Sequence, residues 1–421
     1  MTNSRLLTVD EAVAAVLGRV QPSEPHFLPL PRAVGLVLAQ GITADIDMPP
    51  FAKATMDGFA VRSGDFLVPG ERRLQVVGMI SAGQTSERAI EPGEGISIMT
   101  GAPLPAGADA VIRVERTRPD PLAANQVVIN TSVAVPAGQF VLDRGREMRQ
   151  GDVLLESGTI ITPRMIGLIA SAGRKAVRVH PRPSVAVVST GDELVWLGRV
   201  PGPGQIRDSN GPMLNALVDS WAERSGAGRM LPSFPVPDQT DALTEALGAE
   251  LQRYDVLIVT GGVSAGVKDL VPATLLALGV EPVFHKVAVK PGKPIWFGVG
   301  SPRISERPGV RPGTLVFGLP GNPAGAVVGF LLFVRPALDA LAGRGSNPAP
   351  VEPARLGADF QHRGDRPTYH PVRVEGDRVF PLDWAGSADL RTVALADGFA
   401  AFASGDHDYL ADDPVKLLRF P

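Results

Sequence analysis

The spacing of apolar residues changes several times along this chain, and each change marks a new segment. Thr8 to Glu11 makes a capping box, and Val13, Val16, Leu17 and Val20 follow at helical spacing, which predicts an N-terminal helix. A second helix is expected over Ala33 to Gln40. From Asp45 to about Asp143 the texture becomes short β-branched runs broken by Gly and Pro: LQVVGMI, GISIMTGA, ADAVIRVE and NQVVINTSV. These predict an all-β module of short strands. Helical texture then returns, with Thr162 as N-cap, Pro163 at the first helical position and Gly173 at the stop. The β module reads as an insertion into a helical region.

From Ser184 the period changes again. SVAVVST and YDVLIVT are fully apolar strands that run into polar loops, and FHKVAV and TLVFGLP are further strands. Between them, Leu214, Leu217, Val218 and Trp221 form one helical face, and Leu243, Leu247 and Leu251 form another. Asp269 to Leu278 is also expected to be helical, and GNP opens a long apolar helix. Alternating buried strands and helices predict a doubly wound, mostly parallel α/β sheet with right-handed crossovers. After Gly343, YHPVRV, DRVFPL and PVKLLRF predict a small C-terminal β barrel or sandwich.

Composition narrows the functions open to such a chain. With 421 residues, roughly two to four domains are expected. Lys plus Arg is 41 against 44 for Asp plus Glu, a net charge of −3, so the chain is not a general nucleic-acid binder and any basic site is local. Cysteine is absent, which excludes a thiol nucleophile, a disulfide framework and a thiolate metal site. The six histidines show no zinc-like spacing. The N-terminus lacks the apolar stretch of a signal peptide, and the run Ala324 to Val334 falls short of the roughly 20 residues that span a bilayer. A cytoplasmic protein with no membrane segment is expected.

In an open α/β sheet, ligands bind outside the carboxyl ends of the strands. There the chain places Thr190, Gly191 and Glu193 after the first strand, Gly261, Gly262, Ser264 and Asp269 after the second, and Gly321, Asn322 and Pro323 before the last helix. Paired glycines let backbone N–H groups approach an anion, and helix N-termini favour negative charge. VKPGKP adds Lys290 and Lys293 at the same edge. Lysines mixed with carboxylates make chemical sense where Mg²⁺ bridges carboxylate and phosphate. Each piece has a plainer explanation: GG as a tight turn, Asn322 as an N-cap, Asp269 as a cap of its own helix, solvated lysines. Their convergence on one edge favours a phosphate-bearing ligand with a divalent cation. Asp57, a lone acid in PPFAKATMDGFAV, and Thr100, in IMTGAPLPAGADAVIRVE, read locally as turn residues.

Seven segments in order resemble the MoeA-type molybdopterin molybdenumtransferases, the family that includes the gephyrin E domain: PPFAKATMDGFAV, IMTGAPLPAGADAVIRVE, RPSVAVVSTGDEL, GQIRDSN, TGGVSAGVKD, VKPGKPIWFG and FGLPGNPAGA. The resemblance implies an extended helical domain (1–44 and 146–181), an inserted β domain (45–145), an α/β molybdopterin-binding domain (182–342) and a C-terminal β domain (343–421). It implies insertion of molybdate into adenylylated molybdopterin with release of AMP and with Mg²⁺ present. The absent cysteine fits, since sulfur ligands would come from the substrate. Carried over by motif, Asp57, Thr100, Glu193, Asp208, Asp238, Asp269, Lys290 and Lys293 would be catalytic. Glu193, Asp238 and Asp269 would handle the metal. Thr190, Gly191, Gly261, Gly262, Ser264, Lys286, Pro291, Gly321, Asn322, Pro323, Arg366 and Ser387 would bind ligand, the last two contacting molybdate.

The resemblance further implies a homodimer with a site shared between subunits, which would bring Asp57 and Thr100 to the α/β domain. A molybdopterin adenylyltransferase is a possible partner. The sequence departs from the family at Ala52-Lys53, Glu147, Gln239, Lys268 and Gly325. Two other readings are a molybdopterin adenylyltransferase, which is usually the α/β domain alone, and a non-catalytic scaffold paralogue.

Overall fold

The computed structural model describes residues 5–222, 228–230, 235–263, 270–304 and 310–420. Contacts divide the chain into two compact units: Met1–Leu28, Arg32–Ala39 and Val177–Pro421 form one, and Pro29–Pro31 and Gln40–Ala176 the other.

The first helix is α1 (Val9–Leu17), and its capping box is complete: the Thr8 hydroxyl accepts from the Glu11 N–H while the Glu11 carboxylate accepts from the Thr8 N–H. The later expected helix is α2 (Pro163–Ser171), with Pro163 at its first position and Gly173 past its end at φ +72°. The helix expected over Ala33 to Gln40 does not form. Leu30–Arg32 is a single 3-10 turn, and Val37–Leu38 is a strand paired with Val179 and His180. Pro29 and Pro31 remove amide donors there, Gly35 takes a left-handed φ of +76°, and burial of Val37 and Leu38 in a ladder outweighs helix propensity. The stretches 1–44 and 146–181 thus hold one helix each, with short ladders around it, such as Val153–Leu155 on Ile42–Thr43.

The smaller unit carries a six-stranded sheet in the order Ala110–Arg113, Gly58–Val61, Glu94–Ile98, Gly70–Ile80, Gln126–Thr131, Thr117–Pro119. The four β-branched runs of the sequence all contribute strands to it. Alternation puts Ala60, Ile80, Ile96, Ile98 and Val111 into one core, and Phe59, Val61, Phe66, Leu74 and Ile112 into another. Gly58 is required for this pairing, because a Cβ there would lie 2.0 Å from the Ile112 carbonyl oxygen.

The larger unit is built on β1 (Val185–Ser189), β2 (Gly228–Met230), β3 (Val256–Thr260), β4 (Glu281–His285), β5 (Trp296–Val299) and β6 (Leu315–Leu319). Their order is β2-β1-β3-β6-β5-β4, with β2, β1, β3 and β6 parallel and β5 alone reversed, pairing antiparallel with both β6 and β4. Every residue of β1, β3 and β6 is buried, which is why they read as unbroken apolar runs. Strand β4 begins before FHKVAV and stops at His285, since Lys286 has a φ of +80° and turns the chain out of the ladder. Helices α3 (Asn210–Trp221), α4 (Thr240–Arg253) and α5 (Leu270–Ala277) connect the strands.

After β6, α6 (Pro323–Gly329) passes through a π-helical turn, Phe330–Val334, into α7 (Arg335–Leu341). Pro336 has no amide hydrogen, and the Arg335 N–H reaches back five residues to the Phe330 carbonyl, so the extra residue is absorbed beside the proline. This apolar stretch of 19 residues is 89% buried within the protein, among Val13 and Val16 of α1, Phe297 and Phe317. Each buried Phe contributes about 2–3 kcal/mol relative to exposure. The chain ends in a closed five-stranded barrel of Glu352–Leu356, Arg378–Pro381, Thr368–Glu375, Gly398–Phe402 and Pro414–Arg419, filled by Leu356, Val372, Val379, Phe402 and Leu417.

Candidate functional site

Register brings the loops of the larger unit to one line. Ser189 is level with Thr260 and Thr260 with Leu319, so Thr190, Gly261 and Pro320 leave the sheet together. Gly261 and Gly262 follow β3 at φ +96° and +58°. A Cβ on Gly261 would lie 2.1 Å from the Thr190 carbonyl oxygen, and one on Gly262 would lie 2.8 Å from Val271 Cγ2. The Thr190 backbone, the Val271 side chain and the left-handed φ values therefore explain the pair without a ligand, while still leaving the turn open to one.

Two cavities share this edge. One, of about 340 Å³, is walled by Thr190, Glu193, Asp208, Asn210, Gly261 and Gly262 among others. The second, of about 530 Å³, is walled by Lys290, Pro291, Lys293, Arg366, Trp384 and Ser387 among others. Pro294, Pro320 and Asn322 line both, so the cavities adjoin. The pair gathers carboxylates at one end and three cations at the other.

Each wall is fixed by its own bonds. Asp208 is buried, and its Oδ1 accepts the Gly211 N–H at 3.0 Å, capping α3. Asn210 Nδ2 donates to Thr260 Oγ1 at 2.9 Å and to the Gly321 carbonyl at 2.7 Å, tying the β3 and β6 loops together. Asn322 Nδ2 donates to Ser387 Oγ at 2.9 Å, and the Ala324 N–H donates to the Ser387 carbonyl at 3.1 Å. Lys290 is held by its backbone: its N–H donates to the Pro367 carbonyl at 2.9 Å and its carbonyl accepts from Tyr369 at 2.7 Å. Arg366 pairs with Asp365 at 3.1 Å, which keeps the Asp365 carboxyl below its ordinary range. Gly325 lines the larger cavity, and a Cβ there would meet the Pro320 ring at 3.2 Å.

Of the expected site residues, Glu193 and Asp238 lie next to the glycine turns. Glu193 Oε2 is 2.7 Å from where a Gly191 Cβ would be, and Asp238 Oδ1 is 3.6 Å from that of Gly262. Pro323 is buried at the first position of α6. Lys286 lines neither cavity. Ser264 and Asp269 lie outside the described residues. Among the described residues, no group of three His, Cys, Asp or Glu converges as a metal cage. Asn210, Pro320 and Trp384 line the cavities without having been singled out from the sequence. Asn210 stands in GQIRDSN, a motif within reach, but its role depends on Thr260 and Gly321, which are distant in sequence.

Asp57 and Thr100 belong to the smaller unit. There the segment Ala52–Ala54 zips onto the TGAP turn: Leu104 N–H donates to the Ala52 carbonyl at 2.8 Å, Gly101 N–H to Ala54 at 2.8 Å and Ala54 N–H to Ala102 at 3.0 Å. That zip brings Thr100 against Asp57, whose Oδ1 accepts the Thr100 N–H and hydroxyl. These bonds, the backbone one first, lower the Asp57 pKa below its ordinary value. Lys53 and Glu147, two of the departures from the family pattern, form an ion pair with each other at 3.4 Å.

Such a fold and edge define a multidomain α/β protein with a composite polar cleft outside its parallel strands. Residues 7–173 match the "MoeA N-terminal region (domain I and II)", 186–340 the "Probable molybdopterin binding domain" and 353–420 the "MoeA C-terminal region (domain IV)". The chain belongs to the MoeA family. It is 30% identical over 98% of its length to a molybdopterin molybdenumtransferase of Staphylococcus epidermidis, covering 95% of that protein. It is 33% identical to one of Staphylococcus aureus, covering 98% of this chain and 95% of that one. The crystal structure of a molybdopterin biosynthesis MoeA protein from Pyrococcus horikoshii superposes with a TM-score of 0.82 at 29% identity, covering 99% of this chain and 100% of that one.

Proposed function

We propose that this chain is a molybdopterin molybdenumtransferase that inserts molybdate into adenylylated molybdopterin and releases AMP. The carrying observation is the pair of adjoining cavities, because one elongated ligand with an oxyanion beside it needs two subsites of different charge. Lys290, Lys293 and Arg366 form the cationic end, suited to phosphate and molybdate. Full-length similarity to proteins named for this reaction supports the same reading.

Mg²⁺ fits the donor set. Glu193 and Asp238 supply hard oxygen near the turns, and Mg²⁺ commonly takes one or two carboxylates with substrate oxygens and water making up the rest. When bound, the ion would neutralise phosphate charge and polarise the phosphoanhydride. The chain's own part is to hold the phosphates and the oxyanion beside Lys290, Lys293 and Arg366. Asp57 and Thr100 would complete the site from the other subunit of a homodimer, in the cytoplasm, with a separate adenylyltransferase supplying the substrate.

The test incubates purified protein with adenylylated molybdopterin, molybdate and Mg²⁺, with and without EDTA. Formation of molybdenum cofactor with equimolar AMP is expected, and EDTA should stop it. Adenylylation of molybdopterin from ATP would favour an adenylyltransferase, and no reaction at all would favour a scaffold.

A further inference from the structure

Asn210 is 7% exposed, and its amide orientation is fixed by chemistry. The Gly321 carbonyl can only accept, so the atom facing it at 2.7 Å must be the amide nitrogen. The second N–H goes to Thr260 Oγ1, whose own proton goes to the Pro320 carbonyl at 3.2 Å. Both Asn210 donors are therefore used, and Oδ1 remains as a buried acceptor with no hydrogen-bond partner. Thr190 is 2% exposed and its hydroxyl also lacks a partner. Both residues line the smaller cavity. A buried acceptor without a donor is costly, so a ligand that supplies one is favoured over a ligand that does not.

We propose that Asn210 is a specificity residue: its Oδ1 reads a hydrogen-bond donor on the nucleoside end of the ligand, with Thr190 beside it. This rests on the adenylylated substrate proposed above. An acceptor selects against phosphate, which has only oxygens to offer. The three cations of the larger cavity draw the phosphate and oxyanion there. In the smaller cavity Arg207 stands with Glu193 and Asp208, so uncharged hydroxyl or amine donors are the suitable occupants. An AMP moiety carries three such groups: the 2′-hydroxyl, the 3′-hydroxyl and the 6-amine.

Calorimetric titration of the full-length protein with AMP, 2′-deoxy-AMP, 3′-deoxy-AMP and purine riboside 5′-monophosphate tests this. One donor-deleted nucleotide should bind the wild type roughly tenfold more weakly than AMP. Asn210→Ala should weaken AMP and erase that difference, whereas a merely structural role would weaken all four nucleotides equally and leave the difference in place. Equal binding of all four to the wild type overturns the proposal, as does a difference that survives in Asn210→Ala. The wild-type comparison stands by itself if the variant does not fold. Absence of AMP binding also overturns it, and cofactor formation then judges the molybdenum-transfer reading separately.

Discussion

Asp57 Oδ1 accepts two hydrogen bonds from one residue, the Thr100 N–H at 2.6 Å and the Thr100 hydroxyl at 2.8 Å. The carboxylate is thereby oriented by a turn 43 residues away. Thr100→Val should cut molybdenum transfer roughly tenfold by leaving the carboxylate only its backbone bond, whereas Thr100→Ser should stay near wild type. Measured turnover that does not distinguish Val from Ser would remove the hydroxyl from the mechanism. Because the pKa is lowered, the stability this pair gives is present above the ordinary value of 3.8 and lost as pH falls through the lower folded value. An acid limb in the rate profile near neutrality would have to come from another group.

The two kinds of glycine at the sheet edge should respond differently to a methyl group. Gly261→Ala drives Cβ to 2.1 Å from a backbone oxygen at a left-handed φ and should cost about 3 kcal/mol or more. At Gly321 the nearest neighbour, Gly261 Cα, is 3.8 Å away, so Gly321→Ala should cost under about 1 kcal/mol. Urea midpoints of the two variants check the contrast.

Tyr369 has its pKa pushed up to about 12, by burial first and then by the charge of Asp10. The unfolded phenol loses its proton near 10 and the folded one near 12, so the unfolded chain holds fewer protons between those values. Stability should fall by about 1.4 kcal/mol per pH unit across that window, and Tyr369→Phe should flatten the fall. Thermal midpoints from pH 9 to 12 would reveal it.

His362 is 3% exposed and stacks on Phe402 in the barrel, with ring centroids 5.9 Å apart. Burial foremost, then the charge of Lys290, lowers its pKa below the ordinary 6.5. The neutral ring is the folded form, so stability is present above 6.5 and declines as pH falls through the lower folded value. His362→Phe should make the barrel less sensitive to acid between pH 7 and 5, read as a smaller drop in melting temperature.

Lys293→Met should weaken binding of molybdate roughly tenfold and reduce its dependence on salt, since one of three cations at the larger cavity is lost. Equilibrium dialysis at two ionic strengths checks both effects.

The α/β sheet was legible in the sequence because its strands β1, β3 and β6 are buried on both faces and so show no alternation. The capping box and the Thr162-Pro163 start were legible because caps are local chemistry. The Ala33 to Gln40 segment misled because its fate depends on the pairing of Leu38 with Val179, 141 residues further on, which local propensity does not encode. The seven motifs were visible as motifs, but the bond from Asn210 to Gly321 and the ion pair of Lys53 with Glu147 depend on tertiary approach. The left-handed backbone of Lys286, which ends its strand, is likewise a feature that the run FHKVAV does not reveal.

The backbone of Lys290 is paired with that of the barrel, Thr368 being its bridge partner. The α/β region and the barrel are consequently not modules that recombine freely. A chain cut near Gly343 would keep its glycine turns and lose the rail that sets a lysine at their side. Exchange of barrels between relatives should succeed only where that rail is carried along.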